Sequence, residues 1–579
     1  MKKQVVALAS FALTGAAFAT EFMWKAAVDG EISDPNMWNQ AASPETGDSL
    51  VWGTNPNPYG NTPFTVYLDT DRSYASASPR TGQVTFDLRG HSLSLVNWTA
   101  LTYRNWATAG IWAGTTISNG TLNVTDLFQP NYPAPDHVGT VRIAGANTVV
   151  NAKKFYFGGM DATLTVSDGA KINTQDAANC QDQLLTGKAG RNTVTFTGQG
   201  TEYNMKGGLQ LGNNAYTAGQ GYEGLNALVI EKGATFNADG YIQVGWNSNG
   251  QNPTEIRIQD GGVMYKNGFL NIGTWSSDSR VIVTGEHSFA SITNGAIYIC
   301  DQSTTNCQLV VTDHAKFEFH TCMNGDNDIN VNGCGGARLI VEDGAEFTIH
   351  NHYNGAGDVP GPYQEVRVGN RKTSTAKDAK IIVRNGATWK VEGRSTMYLG
   401  DGDFGAELVV SNATFDAGTA DSDLKMAVGE GFEFTEDTQT TLRLQGDDVL
   451  AKFFTIRLGF APHIILEPGA NGFNQTPLQL TKNVYWKTDE YVPSPEEEPE
   501  LVLDVTNWKP MHSGEKTLIQ TDRNAYRWDY GTNAMKRLVA NARVIPADRA
   551  DKFRIFLTDN LEAVKVAYKS HAGLLMILR

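Results

Sequence analysis

Charge is scarce in this chain, and what there is leans negative. Asp, Glu, Lys and Arg make up 19% of 579 residues, acids outnumber bases by 62 to 47, and the formal net charge is -15. A nucleic-acid surface needs clustered Lys and Arg against the phosphates, so no nucleic-acid partner is expected. Long apolar runs are missing too. Beyond the N-terminal leader described below, no stretch approaches the roughly 18 apolar residues of a membrane-crossing helix, so no transmembrane segment is expected. Cysteine is sparse, with five residues and no Cys-x-x-Cys pair, which excludes the usual zinc-ribbon spacings. No Gly-x-Ser-x-Gly phrase announces a strand-to-helix nucleophile elbow.

Glycine is plentiful instead, at 59 residues, and Asn and Thr are frequent. That mixture favours many strands and tight turns over helices. One phrase recurs: LTVSDGAKI from Leu164, LVIEKGATF from Leu228, IRIQDGGVM from Ile256, VIVTGEHSF from Val281, LVVTDHAKF from Leu309, LIVEDGAEF from Leu339, IIVRNGATW from Ile381 and a shortened LVVSNATF from Leu408. Successive starts lie 64, 28, 25, 28, 30, 42 and 27 residues apart. The first gap has room for a degenerate copy near NTVTFTGQGTEY at 192, and the gap of 42 holds an insertion near 351–363. A shorter phrase follows the copies, as FYFGG at 155, LQLG at 209, IQVG at 242, LNIG at 270, IYIC at 297, VRVG at 366, MYLG at 397, MAVG at 426 and IRLG at 456.

Positions one and three of each long phrase are apolar, and the residue eight after the start is Phe236, Met264, Phe289, Phe317, Phe347 or Trp389. That is period-two patterning broken by a turn of fixed length. A unit of 25 to 30 residues with three short strands fits one coil of a parallel β-helix, whose inner face is buried only by stacking. The expected fold is an all-β, single-stranded parallel β-helix solenoid, right-handed, with N- and C-terminal caps. The glycine after Asp168, Lys232, Asp260, Asp343 or Asn385 should take a left-handed conformation at the corner. Stacking also predicts two outward columns, one of Glu318, Thr348 and Lys390 and the next of His320, His350 and Glu392. Two stacked histidines with a nearby carboxylate could bind zinc, although outward ladder positions accept any polar residue.

The chain opens MKKQVVALASFALTGAAFATE, a short basic head, an apolar run and small residues around Phe18. That pattern is expected of a secretory signal peptide over 1–19, which places the protein outside the cytoplasm, secreted or at a bacterial cell surface. Residues 20–60 form an N-terminal cap, 61–470 the β-helix, 471–500 a transition with the Pro/Glu-rich VPSPEEEPE, and 501–579 a C-terminal capping region. This last region holds short strands and one short helix near 533–542, with Met535, Leu538, Val539 and Ala542 on one face.

The entrance, with Trp24, Gly30, Asp34, Trp38, Pro44, Gly47 and Asp48, resembles that of secreted autotransporter-type passengers, and the internal phrase resembles their β-strand repeats. The resemblance spans roughly 20–470 and implies architecture rather than function. It also implies that Trp24 and Trp38 pack over the first coil, with stacking on carbohydrate as the alternative role for one of them. The chain departs from that pattern after 470, where roughly 109 residues are too few for a self-inserting membrane barrel.

No compact catalytic set stands out. The Gly-His-Gly phrase of pectin-cleaving hydrolases of this fold is missing, and no pair of acids is singled out for glycan hydrolysis. Two places break the repeat. CMNGDNDINVNGCGG at 322–336 alternates Asp326, Asp328, Asn330 and Asn332, like part of a calcium loop, so a structural Ca²⁺ is the one cofactor considered. Counted from Asp326, however, Val331 and Ala337 stand where such a loop needs Gly and Glu. Disulfides Cys300–Cys307 and Cys322–Cys334 are expected, with Cys180 left over; the plainer alternative is that the cysteines are simply buried. The insertion HNHYNGAGDVPGPYQ supplies His350, His352, Tyr353, Asp358 and Tyr363 as a candidate carbohydrate-contact patch, because insertions in solenoids become binding loops. The function expected is a non-catalytic, adhesin-like or structural surface protein that touches an extracellular polysaccharide or another cell-envelope component. The alternative is a polysaccharide lyase or glycoside hydrolase on the same scaffold.

Overall fold

The computed structural model describes residues 20–53, 59–60, 62–80, 82–99, 113–131, 139–159, 161–175, 181–186, 191–212, 225–246, 253–300, 304–321, 328–332, 335–351, 364–369, 378–400, 405–418, 422–427, 439–486, 494, 497–522 and 530–569. Nearly all the regular structure is strand, stacked in parallel as a β-helix. Each regular coil contributes one strand to each of three ladders. The long repeated phrase begins with a strand of what is here termed the wall ladder. After the corner turn, its second half enters the face ladder. The short phrase forms the rear ladder.

The repeat starts align in the wall ladder. Leu164, Val194, Leu228, Ile256, Val281, Leu309, Leu339, Ile381 and Leu408 are successive partners, and all are buried. Val194 belongs to the degenerate copy expected near 192. Each such side chain contributes on the order of 1.5–3 kcal/mol on leaving water, and only the neighbouring coils make that burial possible.

The corner between wall and face is a two-residue turn. Lys232 and Gly233 have φ of 53° and 80°, and the Ala234 N–H donates to the Glu231 carbonyl at 3.1 Å. Asp168–Gly169, Asp260–Gly261, Asp343–Gly344 and Asn385–Gly386 repeat it. Both central residues are left-handed, which explains why Asp or Asn so often precedes the glycine. The Val281 coil departs from the rule. Its turn, Gly285–Ser288, is one residue longer, so Ala290 rather than Phe289 partners Met264 inside, and Phe289 turns outward beside Tyr265.

Inside the face ladder the aromatic rings stack coil on coil. Phe317 and Phe347 lie 4.9 Å apart, Phe347 and Trp389 4.3 Å, and Trp389 and Phe415 5.4 Å. Caps close both ends of this core. Trp24 and Trp38 meet edge to face at 5.0 Å and are each 1% exposed, so neither ring is available to stack on a sugar. At the other end Gly514–Gln520, Phe553–Leu557 and Ala563–Tyr568 pair antiparallel, and helix Tyr530–Ala540 buries Met535 and Leu538. The pairing thus changes from parallel to antiparallel where the stack ends. Among the described residues no helix is long and apolar enough to cross a membrane.

Candidate functional site

The outer surface of the face ladder is polar and continuous. In a strand alternate side chains share a face, so register places one outward residue per coil directly above the last. Asn123, Asn151, Asn173, Asn204 and Asn237 occupy five successive coils. Each amide donates to the one before it, at 2.9 Å from Asn151 to Asn123, 2.8 Å from Asn173, 2.9 Å from Asn204 and 2.6 Å from Asn237. The column continues through Tyr265, Ser291, Glu318, Thr348 and Lys390. The asparagine run was visible in the sequence, because Asn173 and Asn237 both stand nine residues after their repeat starts.

Where the amide row ends, the coil bends between face and rear ladders. Glycines stack at this bend. A Cβ on Gly295 would collide with the Gly268 backbone, and one on Gly240 with the Gly207 carbonyl. Their bare backbones let the bends nest, and beside them lies an open hollow of about 830 Å³, lined among others by Asn204, Asn237, Asp239, Tyr265, Lys266 and Thr293. Tyr265 is 51% exposed.

Lys266 departs from its column. Its partners Ala238 and Ile292 point into the core, and Lys266 points with them, only 2% exposed. The ammonium reaches the glycine bend and donates to the carbonyls of Gly240 and Asn267. Burial pulls its pKa down to about 7, with Asp239 pushing the other way. A second buried charge lies inside the coils. Asp182 accepts from Tyr203 Oη at 2.6 Å, Thr174 Oγ1 at 2.7 Å and the Phe155 N–H at 2.8 Å. Burial nevertheless raises it to about 6. Nothing in the sequence marked either residue.

Farther along the same face the two expected columns form. Glu318, Thr348 and Lys390 are successive partners, and so are His320, His350 and Glu392. The His320 and His350 rings stack at 4.5 Å with 16° between their planes. Glu318 Oε2 lies 3.0 Å from His320 Nε2, and Glu392 Oε2 lies 2.8 Å from His350 Nδ1. Lys390 first and His350 second hold Glu392 below the usual carboxylate range. Thr293, which lines the hollow, is the coil partner of His320, so hollow and cluster form one surface.

His350 is thus placed in this cluster; His352, Tyr353, Asp358 and Tyr363 lie outside the described residues, as do Asp326, Cys180, Cys322 and Cys334. Part of the expected loop at 322–336 is strand instead. Ile329–Val331 is a rear-ladder strand with Ile329 and Val331 buried, an apolar-x-apolar phrase that the surrounding Asn and Gly residues obscured. Asn330 stands in register between Tyr298 and Arg367, and both Asn330 and Asn332 are buried. Asp328 precedes this strand, and its carbonyl accepts from the Ile297 N–H at 2.9 Å.

The expected Cys300–Cys307 disulfide is not formed. Both residues are buried thiols, and the Cys307 N–H donates to Cys300 Sγ at 3.3 Å. Cys300 fills the left-handed corner position that glycine holds in other coils, with φ of 56°, while Cys307 packs over Gly273.

Compared with known protein families, with curated proteins and with solved structures, the chain matches none.

Proposed function

We propose that this chain is a secreted or cell-surface scaffold, adhesin-like and non-catalytic, that holds an extracellular polysaccharide along the polar face of its β-helix. The observation that carries the proposal is the amide row from Asn123 to Asn237 running into the open hollow beside exposed Tyr265. An extended glycan presents hydroxyls at regular intervals and apolar ring faces. Amides satisfy the first and an aromatic ring the second. The surface is long, shallow and pre-formed by backbone stacking, which suits a polymer better than a compact metabolite. The passenger-like entrance motif and the leader support an envelope location.

The test is affinity electrophoresis of the full chain in gels carrying neutral or acidic polysaccharides. Retardation that is lost in Tyr265→Ala, with an unchanged melting temperature, supports the proposal. Failure of every polysaccharide to retard the chain, or equal retardation of the variant, overturns it.

A second reading, an enzyme that cleaves the same polymer, draws on Lys266. An amine with a pKa near 7 can accept a proton at neutral pH, as β-elimination from a uronate requires. Burial of that amine against two backbone carbonyls favours the binding role. Release of unsaturated oligosaccharides that disappears in Lys266→Met would decide for the enzyme.

A further inference from the structure

Besides the hollow, the face ladder carries a cluster whose chemistry differs from that of its surroundings. The Glu318 carboxylate and the ring nitrogens of His320 and His350 all present ligand atoms within 4.8 Å of one another. They come from two adjacent coils in direct register, so the backbone fixes their spacing. We propose that Glu318, His320 and His350 bind one divalent zinc-class ion, with Glu392 as the positioning residue behind His350.

The hydrogen-bond pattern supplies the reason. An ionised carboxylate accepts only, so the His350 Nδ1 that faces Glu392 at 2.8 Å carries the hydrogen. Nε2 then presents its lone pair, and it faces Glu318 Oε1 at 3.9 Å. By the same rule His320 Nε2, 3.0 Å from Glu318 Oε2, carries a hydrogen in the ion-free cluster, and a divalent ion bound there displaces that proton. A carboxylate that fixes the tautomer of a ligating histidine through its other nitrogen is the arrangement metal sites use. Around a tetrahedral ion with bonds of about 2.0–2.1 Å, ligand atoms stand about 3.3 Å apart. Closing from the present spacing requires the two stacked imidazoles to tilt toward each other by side-chain rotation.

The donor set selects the metal. Two imidazoles and one carboxylate suit zinc, cobalt or nickel and disfavour calcium and magnesium, which take oxygen ligands. Three protein ligands leave a fourth position open, as in sites that also bind water or a substrate oxygen. The proposal does not rest on the glycan reading, since the ion would bind whether or not a polysaccharide does.

The experiment is calorimetric titration of the untagged, chelator-stripped full chain with zinc, together with cobalt absorption spectra. One zinc per chain is expected, with tetrahedral cobalt bands. His320→Ala and His350→Ala should each abolish the cobalt bands, and Glu392→Gln should weaken zinc about 10- to 100-fold without changing the stoichiometry. His463→Ala, in the wall ladder, should leave binding unchanged. If an alanine variant does not fold, His320→Gln and His350→Gln keep a polar group of similar size in the stack and serve the same comparison. Absence of stoichiometric zinc binding, or binding that survives loss of both histidines, overturns the proposal.

Discussion

Tyr203 Oη donates to Asp182 Oδ2 at 2.6 Å across two coils, deep inside the solenoid. The carboxylate has three donors and no cation, and burial raises it to about 6 against an ordinary 3.8. The folded state therefore holds this proton more tightly than the unfolded chain. Between about pH 4 and pH 6 Asp182 removes stability as the pH rises, and above that window its ionised form costs on the order of 3 kcal/mol. In Asp182→Asn the amide nitrogen can donate to the Tyr203 and Thr174 hydroxyls, while the oxygen keeps the Phe155 N–H. The stability of this variant relative to the parent should rise from pH 4 to pH 7 in urea titrations. A difference that does not vary with pH refutes the account.

Lys266 has the opposite sign. Its folded pKa lies at about 7 and its ordinary value at 10.5, so the folded state gives up the proton more readily. Stability should rise with pH between those values, the charged form costing on the order of 5 kcal/mol as an upper bound. Lys266→Met keeps the stem in the Ala238–Ile292 column without the charge. It should melt higher than the parent at pH 7, with the gap closing toward pH 10.

The aromatic stack gives a prediction about packing. Trp389 is fully buried between Phe347 and Phe415. Trp389→Ala should cost about 3–5 kcal/mol, because rigid neighbours on both sides cannot collapse into the space. In a solenoid each coil touches mainly its neighbours, so hydrogen exchange should accelerate around 339–417 and little near the caps.

Two glycines separate backbone strain from collision. Gly386 has φ of 76° and nothing within 4 Å of an added Cβ, so Gly386→Ala should cost only the left-handed penalty of about 1–2 kcal/mol. At Gly295 an added Cβ would strike the Gly268 backbone. Gly295→Ala should therefore destabilise more, and it should reduce whatever binding the hollow supports. Chemical-denaturation midpoints of the two variants compare them directly.

The coil architecture was legible because one side of every coil repeats. Leu228, Ile230 and Phe236 show their inward direction by alternation and then by a turn of constant length. The same rule placed Phe289 wrongly, since one extra residue in the Gly285–Ser288 turn flips every side chain after it until the next corner. Rear-ladder copies at Gln181–Thr186 and Ile329–Val331 escaped notice because their apolar positions are few and polar residues surround them. The His320–His350–Glu392 column was foreseen, because stacking converts equal distance along the phrase into contact.

The sequence by itself determined the ladders, the corner turns and which residues stack, since these follow from periodicity and from the conformations that glycine and asparagine tolerate. Only the tertiary structure decided what the polar residues do once stacked. The inward course of Lys266 depends on backbone carbonyls at a glycine bend. The burial of Asp182 depends on donors from three strands. The 3.9 Å separation of His350 Nε2 and Glu318 Oε1 depends on side-chain directions on two coils. Such distances arise between segments that have no local pattern in common, so periodicity alone does not specify them.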